Sequence, residues 1–310
     1  KILIYQKSLE WVLKEQRNEL DQYKITGLDT DSLERILTEA GLCVMQSGGK
    51  YARVNMIETR LKRDDSDAAS IIQELRRKGG EKALTTALGA FYMRQPAGEA
   101  GGGVEFYHKS FGEFLCAKRL QASLEEWTEL GTGRRKWSID DEKLVGQIYD
   151  LLGYGGLTPE IVEYLRGLLT QSQEFIPVEL FQRLQEFYWR WCDGEFIDAV
   201  GTTLPQTKMR ELKEQLPTTE NYLGQKQVDM YTGLNTIILL LELHRYGQKR
   251  DDLKTKINFH PCGKCNDQGE LEEGEDNTLL LRIINLSSCL GNDGFLKTIG
   301  SFLTEANLSK

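Results

Sequence analysis

VEFYHKSFGEFLCAKRL, residues Val104–Leu120, places His108, Ser110, Glu113 and Cys116 within nine residues. These are the side chains of nucleophilic hydrolysis, and they are also the signature of a helix start. Ser110 precedes Glu113 by three positions, the spacing of a capping box. There Ser110 Oγ accepts the N–H of residue 113, and the Glu113 carboxylate reaches back to the N–H of Ser110. Losing such a Ser costs about 1 kcal/mol. Phe111, Phe114, Leu115 and Ala122 then share one face, and Cys116 lies away from it. A catalytic Cys and His meet through the fold and not along one turn. The stretch therefore reads as a short strand, Val104 to Phe106, followed by a helix.

Working outward toward the N-terminus, RQPAGEAGGG before Val104 breaks the preceding helix at Pro96 and forms a Gly-rich tip. DDSDAASIIQELRRKGG has acids at its start and Arg76, Arg77 and Lys78 at its end, an order that complements a helix dipole. LCVMQSGGKYARVNM reads as two short strands around a turn at Ser47–Lys50, its second half being also compatible with the next helix. Leu33, Ile36, Leu37 and Ala40 give a helix capped by Thr30 or Asp31 and closed at Gly41. Ile2, Tyr5, Leu9, Val12 and Leu13 mark a first helix.

Beyond Leu130, GTGRRKW reads as a connection, and the chain after it is nearly all helical. Ser138 caps one helix, and Thr158–Pro159 opens another with Pro at the first helical position. Pro177 starts a third, with Leu180, Phe181, Leu184, Phe187, Tyr188 and Trp191 as a core-facing stripe. A long helix runs from about Gln225 to Tyr246. Residues 251–277 are polar and Gly-rich, a loop or small hairpin. Asn277 caps a last helix that runs through Cys289 and closes at Gly291. The end, SFLTEANLSK, has Leu303 and Leu308 five apart, a period that is neither helix nor strand.

The 310 residues are 40% apolar, enough for a sizeable core and two domains. With 39 basic and 47 acidic residues the net charge is −8, which disfavours generic binding to nucleic acid or anionic membrane. No apolar run reaches membrane-spanning length, and KILIYQKSLEW lacks the features of a signal peptide, so a cytoplasmic fragment of a longer chain is expected. The six cysteines are scattered among apolar residues, as for reduced thiols. His260, Cys262 and Cys265 in HPCGKC have the spacing of a zinc half-site, but no fourth ligand is evident, since nothing in the sequence pairs Cys289 or Asp267 with them, and a solvent-facing turn is the favoured reading. SGGKY and GGEKA lack the spacing of a phosphate-binding loop, and no GxGxxG is present.

LERILTEAGLCVMQSGGKYARVNMIETRL followed by VEFYHKSFGEFLCAKRL resembles the region after the ATPase core in NACHT-type NTPases of the STAND signalling class, particularly those of cyanobacteria. The block Val104–Ala117 matches the family's strand-to-helix motif without a gap, and ANLSK is similar to one unit of a pentapeptide repeat. The resemblance implies a mainly α chain: a winged-helix-like domain at 1–130, a helical domain at 131–290 with its polar loop at 251–277, and the start of a pentapeptide β-helix at 291–310. It implies a regulatory, non-catalytic role without Walker motifs, in signal transduction. The partners would be the protein's own NTPase domain in cis and a protein effector. In several relatives a His of the winged-helix domain contacts the nucleotide phosphate; His108 stands in the motif, and a buried, hydrogen-bonded His is the favoured reading of it. No cofactor is expected beyond the possible zinc.

Two other classes compete. A winged-helix nucleic-acid binder would use Arg60, Lys62, Arg63, Arg76, Arg77, Lys78 and Arg134–Lys136 on phosphates, but Asp64, Asp65, Asp67 and Glu74 dilute the first cluster. A cysteine hydrolase would pair Cys116 or Cys262 with His108, His244 or His260.

Overall fold

The computed structural model describes residues 2–14, 29–49, 51–63, 73, 77, 88, 93–94, 103–133, 136–216, 222–263 and 278–303. The protein is mainly α, with eleven α-helices and a small three-stranded sheet among the described residues. None of these helices is long and apolar enough to cross a membrane. The chain forms two compact units. The first comprises Lys1–Ala122, Glu160–Gln171 and Gln215–Thr219; the second comprises Ser123–Pro159, Ser172–Glu214 and Glu220–Lys310. The chain thus crosses between units inside a helix and not at the GTGRRKW connection near residue 130, and a later helix returns to the first unit.

In the first unit, α1 (Ile2–Lys14) is followed by α2 (Thr30–Gln46), β1 (Ala52–Arg53) and α3 (Val54–Arg63). β2 (Met93–Arg94), β3 (Gly103–Phe106) and α4 (Lys109–Glu126) complete the local order. β3 is central. It pairs antiparallel with β1 through Ala52↔Val104 and with β2 through Met93↔Phe106. The Gly-rich tip between β2 and β3 lies outside the described residues, as does most of DDSDAASIIQELRRKGG. α6 (Pro159–Gln171) joins this unit, opening on Pro159 as its sequence predicts.

α2 corrects three sequence expectations. Its cap is Asp29, whose carboxylate accepts the N–H of Ser32 at 2.7 Å. LCVMQ is helix and not strand: every residue from Ile36 to Gln46 is buried, so tertiary packing overrides the local β preference. Gly41 is no terminus. It sits mid-helix where a Cβ would lie 2.7 Å from Leu115 Cβ and 2.9 Å from Cys116 N, so its missing side chain is what lets α2 press against α4. The helix stops at Ser47, and Gly48 and Gly49 follow at φ 85° and 79°, with their amides on Met45 and Val44 carbonyls.

An ion cluster ties α2, α3 and α4 together. Glu39, fully buried, accepts from Arg60 Nε and Arg119 Nε at 2.5 Å each, and Arg60 also reaches Gln46 Oε1. Burial pushes the Glu39 carboxyl up, but the attraction of Arg119, then Arg60 and Arg35, overrides it and holds the group at about 2.

The second unit is all helical among its described residues. α5 (Asp141–Leu152) is capped by Asp140, whose side chain accepts the Lys143 N–H at 2.9 Å; Ser138, expected as the cap, bonds the Glu126 carbonyl instead. α7 (Pro177–Cys192), α8 (Leu204–Gln215) and α9 (Gln225–Gln248) follow. Arg183 of α7, buried, donates to the carbonyls of Trp127 and Ile139 and to Asp141, fixing the segment before α5. α9 is buried over most of its length and forms the core of this unit. At Gly233 a Cβ would run into the Trp191 ring, so α7 and α9 meet ring to backbone. Asn235 of α9 donates to the carbonyls of Leu152 and Gly155 and accepts the Leu157 N–H at 2.9 Å.

α10 (Leu279–Leu286) runs on into a 3-10 turn ending at Leu290, and Gly291 closes it as the sequence suggests, though the N-cap is Thr278 and Asn277 lies outside the described residues. α11 (Gly294–Ile299) and a 3-10 turn at Gly300–Phe302 come next. Residues 294–302, placed in the start of a pentapeptide β-helix by the resemblance, are therefore helical: Phe295, Ile299 and Phe302 are buried at spacings of four and three. The ANLSK unit lies outside the described residues.

Glu39 makes stability pH-dependent. Its folded-state pKa is depressed from 4.5, so its contribution is complete above pH 4.5 and fades as pH falls toward 2. Urea melts at steps across that window are expected to cost the natural chain about 3 kcal/mol that the Glu39→Gln chain does not lose. Equal losses would remove the cluster from the account.

Candidate functional site

The motif that dominates the sequence folds as a strand-to-helix junction beside a cavity. α4 starts at Lys109, two residues earlier than a Ser110 cap requires. His108 occupies the cap position, its carbonyl accepting the N–H of Phe111 at 3.1 Å and of Gly112 at 3.5 Å. Ser110 is already inside the helix, and its hydroxyl pairs with Tyr5 Oη of α1 at 2.7 Å. Glu113, buried, ion-pairs with Lys109 at 3.2 Å. The predicted capping box is therefore not what starts α4. A hydroxyl offered by a helix 105 positions away takes the serine instead.

The exposed His108, together with Tyr5, Ser8, Ser110 and Phe111, lines a cavity of about 350 Å³. An aromatic cluster carries its floor. The Tyr5 ring stacks on Phe114 at 5.6 Å and meets the edge of Tyr164 at 5.5 Å, and Phe111 meets the edge of Phe106 at 6.1 Å. Burial and then the neighbouring Tyr5 push the Tyr164 hydroxyl up to about 12, so it stays neutral beside Tyr5 at pH 7. The polar side chains of the lining are an imidazole, a phenol and two serine hydroxyls, at the start of α4. Such a set suits an anionic or hydroxylated group. Sequence reasoning found His108 and Ser110 but missed Tyr5 and Ser8. On α1 those two residues mark only helical spacing, and no local pattern links them to a motif a hundred positions on.

His108 and Cys116 do not form a dyad. Eight residues of helix separate them by about 12 Å, and Cys116 is fully buried near Gly41. In the second unit, His260 Nδ1 accepts the N–H of Cys262 at 3.4 Å, which makes the imidazole a cap for its own turn. Tyr188 donates to the Pro261 carbonyl at 2.7 Å and fastens that turn to α7. His244 Nδ1 accepts the Phe259 N–H at 3.1 Å; burial, then Arg245 and His260, push its pKa down, which suits a neutral acceptor. Cys265, the third member of the proposed zinc set, lies outside the described residues. Among the described residues no group of three or more His, Cys, Asp or Glu is arranged to hold a metal ion. Among the described residues, Cys43, Cys116, Cys192, Cys262 and Cys289 form no disulfide.

No protein-family model matches the sequence, and neither a curated protein nor a solved structure matches it.

The Tyr5–Ser110 hydrogen bond is open to a double-mutant cycle. Tyr5→Phe and Ser110→Ala are each expected to cost about 1 kcal/mol in urea melts, and the double variant about the same as either, a coupling of about 1 kcal/mol. Additive losses would place Ser110 in a helix cap that does not involve Tyr5.

Proposed function

We propose that the chain is a non-catalytic regulatory and interaction segment of a NACHT-type signalling NTPase, in which the first unit is a winged-helix latch for an NTPase core in cis. The observation that carries this reading is the placement of His108. It stands at the end of the central strand and the start of α4, exposed at a cavity edged by Ser8 and Ser110. In a latch, that edge is where a phosphate held by the core would be met. The order α2–β1–α3–β2–β3–α4, with β3 between its two partners, supports the winged-helix part of the reading.

The second unit, built on α9, would pass the latch's position to an effector or to repeats that follow. Relay of this kind needs an interface with two discrete arrangements whose balance a ligand tilts. The nucleic-acid alternative loses support from two of its own residues. Arg60 is buried against Glu39, and Lys62 pairs with Glu58 at 3.7 Å.

The test uses an ADP-loaded NTPase core of NACHT type from the same polypeptide, titrated with the 310-residue chain. Binding at micromolar Kd or tighter is expected, and His108→Ala is expected to weaken it about 10- to 100-fold, the loss of one charge-assisted hydrogen bond, with an unchanged melting temperature. ATP hydrolysis by the chain alone, or full retention of binding by the His108 variant, overturns the reading.

A further inference from the structure

A second cavity, of about 380 Å³, lies wholly within the second unit. The C-terminal turn of α7, the first turns of α9, and α10 enclose it. Asp229 lines it and is only 7% exposed. The carboxylate accepts one hydrogen bond on each oxygen, from Tyr149 Oη at 2.5 Å and from Trp191 Nε1 at 3.1 Å. Both donors are neutral. Among the described residues no Lys, Arg or His forms an ion pair with Asp229, whereas buried Glu39 has two guanidiniums. A buried carboxylate without a counter-charge is costly.

The two donors alone explain why an acceptor stands here. They do not explain why it faces open volume and not packed side chains. Two of its lone-pair positions remain unused. Burial pushes the Asp229 carboxyl up to about 6, so the ionised form still predominates at pH 7.5. The apolar part of the lining includes Trp191, Ile197, Met230, Ile283 and Leu286. Burial drives the adjacent Cys192 thiol to about 12, leaving it uncharged. Two acids, Asp193 and Asp198, and two bases, Lys226 and Arg282, also line it, and the charge of Asp198 adds to burial in pushing the Asp229 carboxyl up.

The geometry points to a binding site for a small organic ammonium with an apolar body, whose N–H groups take the free lone pairs of Asp229 while the body fills the space between Trp191, Ile197, Met230 and Ile283. A hydrogen bond to the ionised carboxylate is about twice as strong as one between neutral groups, and the charge would be met inside a low-dielectric wall. Trp191 adds a ring able to stabilise a cation nearby. This site is independent of the His108 cavity and of the latch reading.

The test is calorimetric titration of the whole chain at pH 7.5 with phenethylammonium, and with 2-phenylethanol and phenylacetate as neutral and anionic counterparts. The ammonium is expected to bind at least 10-fold more tightly than either. Asp229→Asn is expected to abolish that preference while leaving the weak binding of the alcohol. Lys226→Glu, an exposed change at the same cavity, is expected to tighten the ammonium about 2- to 5-fold and leave the alcohol unaffected. Should the Asp229 variant fail to fold, the ligand series and Lys226→Glu decide. Equal affinities for the three ligands, tighter binding of phenylacetate, a folded Asp229→Asn chain that keeps its preference, or no effect of Lys226→Glu overturns the site.

Discussion

Glu39 is the constraint around which the first unit is organised. One carboxylate, with no measurable solvent contact, receives a guanidinium from α3 and another from α4. Ion pairs at a surface contribute little, but a buried charge deprived of its partner is strongly destabilising. The three helices are thus bound to one mutual arrangement, because any other leaves a charge unmet. The same arrangement brings Gly41 against Leu115, and it fixes the helix whose first turn carries His108. The His108 cavity inherits its shape from a cluster that does not touch it.

What the sequence made legible was local. Pro159 and Pro177 at first helical positions, the stripe from Leu180 to Trp191 and the long α9 all follow from spacing and from the special geometry of proline. The short strand before His108 was legible too, since a Gly run and a helix start bracket it. Illegible features were those in which a distant residue claims a group that the local pattern had already assigned. Tyr5 takes the hydroxyl of Ser110 away from the predicted cap. Gly41 looked like punctuation because glycine usually is, yet the backbone of α4 needs the space. Nothing in the local pattern singles out Glu39; only the fold supplies the two arginines that meet it. Asp229 is the same lesson in the second unit, one acid among the polar residues at the start of α9.

Buried polarity is met in two ways. In the first, charge meets charge, at Glu39 and also in the second unit, where buried Lys208 pairs with Asp150 at 2.6 Å and buried Arg183 with Asp141. In the second, the buried polar residues of α9 meet neutral groups. Asp229 takes a phenol and an indole, and Thr232 and Thr236 donate to carbonyls one turn back in their own helix. Salt weakens the first kind of contact only slightly when it is this deeply enclosed. The second kind carries no charge to screen, apart from Asp229 itself.

Asn235 carries a consequence of its own. A single amide serves two carbonyls and one N–H at the point where α5 gives way to the next segment. Sliding α9 along α5 by one turn, about 5.4 Å, would move Leu239 or Tyr231 into that position and strand three backbone groups at once. Greasy helices can otherwise shuffle past one another at small cost, because Leu against Leu is much alike at every step. Here the amide acts as an index mark: it admits one alignment of the two helices, and the Leu157 amide proton should exchange with solvent only when that alignment is given up.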